Sequence, residues 1–188
     1  MPAPVRLYTV DDVRAIPDDL NRYETIAGEL FVTPAPGTPH QTVLRTLFVT
    51  LWDYVRAHDL GQVWFAPVDV VFGSLTLVEP DLLFVARDRT GIVTERELTA
   101  APDLAVEVIS PSTARTDRGR KRALYQETGV REYWIVDIAR RHIEVWRPGA
   151  LTAEIHDDAL DWQPALRVAA LTIDVPRLFV DLPGAAGA

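Results

Sequence analysis

The chain has 188 residues, 48% hydrophobic and 24% charged, enough to bury a sizeable core within one globular domain. Cysteine is absent, which excludes disulfides, thiol nucleophiles and thiolate zinc sites, so any metal has to be held by oxygen or imidazole. A net charge of −8 counts against a generic nucleic-acid coat, because the molecule as a whole repels polyanions. No apolar run approaches the ~18 residues needed to cross a bilayer. The stretch from Met1 to Val10 lacks the basic flank and apolar core of a secretion signal, so the expectation is a cytoplasmic protein with no membrane partner.

Thr9, Asp11 and Asp12 precede a short apolar pattern ending at Pro17, which predicts a brief capped helix. Tyr23–Ile26 and Leu30–Thr33 are β-prone halves joined around Gly28, a hairpin. A Pro-rich link, Pro34 to Pro39, leads into Val43, Leu44, Leu47, Phe48, Leu51, Trp52 and Val55, whose three-and-four spacing predicts an amphipathic helix ending near Gly61. Strands are expected at Val63–Ala66, Val68–Phe72 and about Leu77 to Val85, then a loop with one helical turn from Arg87 to Ala101. Asp103 to Ile109 reads as a strand covered on both faces, followed by a helix from about Ala114 to Thr128 that Gly129 stops. Glu132–Asp137 and His142–Arg147 form a strand pair, and the tail holds short strands and a last helical turn near Pro176–Val180. The best-defined late helix crosses between two apolar strands, so the class is α/β (α+β), a mixed central sheet flanked by helices. The expected organisation is a single domain over 1–188, with its core at about 20–150, an extension at 151–182 and a disordered tail at 183–188.

Acidic residues stand where they should not. Glu107 lies inside Leu104-Ala105-Val106-Glu107-Val108-Ile109, where losing hydration costs several kcal/mol unless a cation or strong donors replace the water. Asp81 begins an equally apolar run, and Asp69, in Val68-Asp69-Val70-Val71, is a third case. A single buried acid is more often an ion-pair partner, but two converging carboxylates suffice for Mg²⁺, which keeps several of its waters.

Of 19 basic residues only Lys121 is lysine, and it falls on the helix after the Glu107 strand. Arginine is a fixed planar fork, whereas lysine is a compact point charge suited to stabilising a reacting oxygen. Asp117, Lys121 and Tyr125 are four apart and form one stripe that can face the end of that strand; the bland alternative is an exposed Asp117–Lys121 pair worth a few tenths of a kcal/mol. The basic run Arg115, Arg118, Arg120, Lys121, Arg122 is either a solvated helix face or a phosphate-facing patch.

The linked segments Glu79-Pro80-Asp81-Leu82-Leu83-Phe84-Val85, Pro102 to Ser112, Asp117-Arg118-Gly119-Arg120-Lys121, Tyr125 and Gly129 to Asp137 resemble the Uma-type family of restriction-endonuclease-like proteins. Tyr23-Glu24, Ile26, Gly28-Glu29-Leu30 and His40-Gln41 are similar too, so the likeness runs over about residues 6 to 150. The family looks like a branch of the PD-(D/E)XK nucleases, which implies a restriction-endonuclease-like core and Mg²⁺-assisted hydrolysis of DNA phosphodiesters, with Mn²⁺ as a substitute. Carried over, Asp81 and Glu107 are the metal-holding acids, the Val108 carbonyl is a backbone ligand, and Lys121 is the catalytic cation. Ile109 stands two residues past Glu107 where most such nucleases have lysine, so Lys121 is read as a relocated lysine. Glu24, His40 and Tyr125 are secondary candidates, and a homodimer is expected because cutting a duplex is simplest with two related sites. The competing reading is a non-catalytic nuclease-fold binding or scaffold module, in which side chains rather than metal satisfy Asp81 and Glu107. Walker, HExxH and Gly-x-Ser-x-Gly motifs are absent, and the four histidines show no ligand spacing.

Overall fold

The computed structural model describes residues 6–110 and 113–183. Thr9 caps the first helix, α1 (Val10–Arg14), in a reciprocal box: the Asp12 N–H donates to its hydroxyl at 3.0 Å, and its own N–H donates to Asp12 Oδ2 at 2.8 Å. Strands β1 (Arg22–Ile26) and β2 (Glu29–Thr33) form the hairpin, turning through Ala27 and Gly28, both at positive φ as a two-residue hairpin turn requires.

Helix α2 (Thr38–Ala57) buries Val43, Leu44, Leu47, Leu51 and Val55 along one stripe. It stops four residues before Gly61, where sequence periodicity had placed its end. Asp59 and Gly61 take positive φ and turn the chain into β3 (Gly61–Phe65). Gly61 is fixed by close approach, since a Cβ there would lie 2.1 Å from the Val85 carbonyl oxygen. Gly61→Ala is therefore expected to cost at least about 2 kcal/mol in urea unfolding, from strain and clash together.

The long strand expected from Leu77 to Val85 is two strands in two sheets: β5 (Leu77–Val78) and β6 (Leu82–Ala86). Pro80 has no N–H to give a ladder, so Glu79-Pro80-Asp81 becomes the link that carries the chain between sheets. With β4 (Asp69–Val71) and β7 (Glu97–Leu98), the first sheet runs β2-β1-β5-β4-β7. The six-stranded sheet runs β11-β10-β9-β8-β6-β3, with β8 (Leu104–Ile109), β9 (Glu132–Asp137), β10 (His142–Trp146) and β11 (Glu154–His156). Its one parallel pair is β8–β9, joined by the crossover helix, 114–128; every other neighbour is antiparallel. This is the mixed α+β class the sequence implied.

Period-two alternation sorts β8 onto two faces. Leu104, Val106 and Val108 join a core with α2 and, from the tail, Leu160, Trp162, Ile173, Leu178 and Phe179. Ala105 and Ile109 join a second core with Ile26, Val70, Val78 and Leu98 of the first sheet and Leu124 and Tyr125 of the crossover helix. Glu107 shares that second face, between the two sheets.

The crossover helix is regular at Ala114–Thr116 and Arg122–Thr128, with a π turn at Asp117–Lys121 between them. There the Asp117 carbonyl accepts from the Arg122 N–H and, at 3.1 Å, from the Tyr133 hydroxyl. Gly129, at φ 86°, ends the helix in the left-handed conformation. The tail forms β12 (Ala159–Trp162) paired with β13 (Leu171–Asp174), then a 3-10 turn at Pro176–Phe179. Of the tail expected to be disordered, only Pro183 falls within the described residues. Among the described residues no helix is long and apolar enough to cross a membrane.

Candidate metal centre

The two sheets and the crossover helix meet around a cavity of about 320 Å³ that Arg22, Glu24, His40, Asp81, Glu107, Val108, Asp117 and Lys121 line. Arg22 and Glu24 are two apart on β1 and so share a face. Asp81 sits in the link between sheets, in a gap that opens because the β6–β8 ladder ends at the Leu82–Val106 pair. Glu107 projects from β8, and Asp117 and Lys121 come from the π turn.

Asp81 is 3% exposed and fully engaged. Its Oδ1 accepts from Arg22 Nη1 at 2.9 Å, and its Oδ2 accepts from His40 Nε2 at 2.9 Å and from the Val108 N–H at 2.8 Å. Burial pushes its pKa up, but the His40 bond, the Arg22 charge and the Val108 amide outweigh it and hold the carboxyl at about 2. It is ionised at neutral pH.

Glu107 is held differently. Lys121 Nζ donates to its Oε1 at 2.8 Å and the Tyr125 hydroxyl at 3.3 Å, and among the described residues these are its hydrogen-bond donors. Lys121 Nζ also lies 2.9 Å from Glu24 Oε1 and 3.8 Å from Asp117 Oδ1. Glu24 Oε1 takes a second bond from the Glu79 N–H at 2.7 Å. Burial raises the Glu107 pKa well above the usual carboxylate range, against the pull of Lys121 and with help from Asp81, Asp117 and Glu24. Burial alone would lower that of Lys121, but Glu107, Glu24 and Asp117 together raise it, so its ammonium stays charged.

The charge balance follows. Glu24, Asp81, Glu107 and Asp117 supply four carboxylates against the fixed cations Lys121 and Arg22, an excess of two negative charges when His40 is neutral. A proton on Glu107 relieves part of that excess. A divalent cation would relieve all of it, and the donors are the hard oxygens that Mg²⁺ or Mn²⁺ prefers.

The structure thus brings Asp81, Glu107, Lys121, Glu24, His40 and Tyr125 together around one cavity or its wall. It also brings in Arg22, which the sequence reading did not single out. Of Val108, the N–H rather than the carbonyl meets Asp81; the residue lies past the end of the β6–β8 ladder. Asp69 does not join. It bonds Arg14 at 2.8 Å on β4 and is a structural ion-pair partner. The basic run disperses as well: Arg118 bonds Asp137 at 2.6 Å and also Glu144, Arg120 pairs with Glu29, and Arg122 stacks over Trp146 at 4.6 Å. Asp137, His142 and Glu144 offer ligand atoms within 4.8 Å of one another, but the Arg118 guanidinium is already their cation.

Glu79, behind Glu24, has a pKa raised to about 7, by burial first and then by Glu24. The folded protein therefore holds a proton there that the unfolded chain, near 4.5, releases. Its contribution to stability is full below pH 4.5 and is lost as pH rises through 7. Glu79→Gln is expected to gain about 1–2 kcal/mol over wild type at pH 8 and little at pH 4.5, read from thermal unfolding at the two pH values.

A mixed sheet with flanking helices and a buried carboxylate–lysine cluster between the layers places the chain among nuclease-like α+β folds. The chain belongs to the Uma2 family, described as "Putative restriction endonuclease", whose family model matches residues 10–175. Among solved structures the fold is similar to a crystal structure described as "a putative nuclease belonging to DUF820", from Anabaena variabilis ATCC 29413. The TM-score is 0.75 at 19% identity, over 92% of this chain and 97% of that one. No curated protein matches the chain.

Proposed function

We propose that this protein is a Mg²⁺-dependent endonuclease that hydrolyses phosphodiester bonds of DNA, with Mn²⁺ able to substitute. The observation that carries the reading is the excess of carboxylates over cations in one buried cluster, where uncompensated charge is expensive. Family membership and the nuclease-like neighbour support it.

Asp81 and Glu107 would hold the ion, with the Val108 carbonyl as a backbone ligand. When bound, the ion supplies Lewis-acid polarisation of the phosphate and lowers the pKa of a water. Val108 N–H and His40 fix the rotamer of Asp81 by occupying one oxygen. Lys121 keeps its proton throughout, held by three carboxylates, and so offers fixed positive charge to the reacting phosphate rather than acting as a base. Tyr125 braces Glu107 from below with its hydroxyl. Two related sites in a homodimer would cut both strands of a duplex.

The second reading, a nuclease-fold binding or scaffold module, is favoured by one observation: both oxygens of Asp81 already have protein donors. Plasmid nicking and calorimetric Mn²⁺ titration separate the two. Wild type is expected to nick DNA in Mg²⁺ or Mn²⁺ and not in chelator, and Asp81→Ala to lose both nicking and Mn²⁺ binding by at least about 100-fold. A wild type that binds no Mn²⁺ would establish the scaffold reading instead.

A further inference from the structure

The Arg22 guanidinium faces the same acids a metal ion would. It donates to Asp81 Oδ1 at 2.9 Å and to the Glu79 carbonyl at 2.8 Å. Asp81, Glu107 and Glu24 are the charges that raise its pKa against burial. The two remaining bonds to Asp81 are of another kind, since one comes from backbone and the other from a ring seated in the first turn of α2, and both end on Oδ2. Among the described residues Oδ1 therefore has only a side-chain partner, and that partner has room beside it: Arg22 and Asp81 also line a second cavity of about 610 Å³, with Asn21, Gln41, Phe65 and Pro67.

We propose that Arg22 is a catalytic residue with two successive partners: it holds Asp81 Oδ1 in place of a divalent cation, and when the cation binds it is displaced and gives its N–H donors to the substrate phosphate. The proposal rests on the metal-dependent nuclease reading. Arginine suits the second role because its planar fork binds two phosphate oxygens at once, while Lys121, locked between Glu107 and Glu24, cannot leave its acids. The exchange also keeps the negative excess from rising from two to three, because one cation leaves Asp81 only as another arrives.

A purely structural Arg22 predicts that its removal loosens the site and weakens metal binding. A displaced Arg22 predicts the opposite. In calorimetric titration without DNA, Arg22→Gln is expected to bind Mn²⁺ at least ten-fold more tightly than wild type, yet to nick plasmid at saturating Mn²⁺ at least 100-fold more slowly. Arg22→Lys, which keeps the charge with a shorter and more mobile reach, should fall between them in both measurements and serves as the test if the Gln variant does not fold. Arg120→Gln, which removes an exposed cation paired with Glu29 outside the cavity, should leave Mn²⁺ affinity within two-fold. Unchanged or weaker Mn²⁺ binding in the Arg22 variants, with wild type binding normally, would overturn the role of Arg22 and leave the nuclease reading standing. No binding by wild type would remove both.

Discussion

Replacing Glu107 by Gln is expected to give a folded protein at least as stable as wild type in chelator that has lost Mn²⁺ affinity and DNA nicking, each by at least about 100-fold. The amide keeps the volume, and its oxygen still accepts from Lys121 and Tyr125. Lys121 stays neutralised by Glu24 and Asp117. What disappears is a carboxyl whose ionised form burial disfavours, so apo stability holds or rises. The ion, however, loses a ligand. The same logic fixes a pH dependence: the proton that burial favours on Glu107 has to leave before an ion can bind there, so wild-type Mn²⁺ affinity rises with pH. Glu107→Gln removes that slope. Differential scanning fluorimetry in chelator, with calorimetric titration at pH 6 and 8, checks both parts. A Tm well below wild type would make Glu107 a structural acid first.

Lys121→Met carries the largest expected loss of stability. The ammonium is 3% exposed and touches three carboxylates from three elements. Taking it away leaves Glu24, Glu107 and Asp117 facing one another without their shared cation, and stranding buried charge in this way costs about 3–5 kcal/mol. The deficit should shrink at low pH. Glu107 and Asp117 already have raised pKa values, and loss of the cation raises them further, so they take up protons in the folded state. Their stabilising protonation is complete below the unfolded pKa and is lost as pH rises through the folded one, so the variant regains stability as pH falls toward 5. Millimolar Mn²⁺ should restore part of the loss at pH 8 by supplying the missing charge. Urea unfolding at pH 5 and 8, with and without Mn²⁺, gives all four values; a variant equally destabilised in every condition would point to lost packing alone.

The residues legible in advance were those whose chemistry clashed with their local context. Asp81 and Glu107 were visible because they interrupt apolar runs, and Lys121 because the chain uses arginine everywhere else. Arg22 was hidden for the converse reason: one arginine among eighteen carries no signal, and its partner comes from the distant link between the two sheets. The faint clue was period two, since Arg22, Glu24 and Ile26 share a face of β1 with a core residue at one end. The break at Glu79-Pro80-Asp81 was missed, although Pro80 carries its signal: a missing N–H argues against a continuous central strand. By contrast, the two residues of β7 and the π turn had no local signature. One is a strand through its pairing with β4, and the other depends on a carbonyl shared with Tyr133 of the next strand.

The carboxylates arise from separate places: Glu24 from the first sheet, Asp81 from the link between sheets, Glu107 from the second sheet. The cluster does not exist until those layers have docked, so it is lost in any opening of the interface between them. Whatever ligand gathers these acids acts as a rivet through both layers. It should suppress hydrogen exchange in β1 and β8 together, far more than in the last turns of α2, which lie outside the cavity lining.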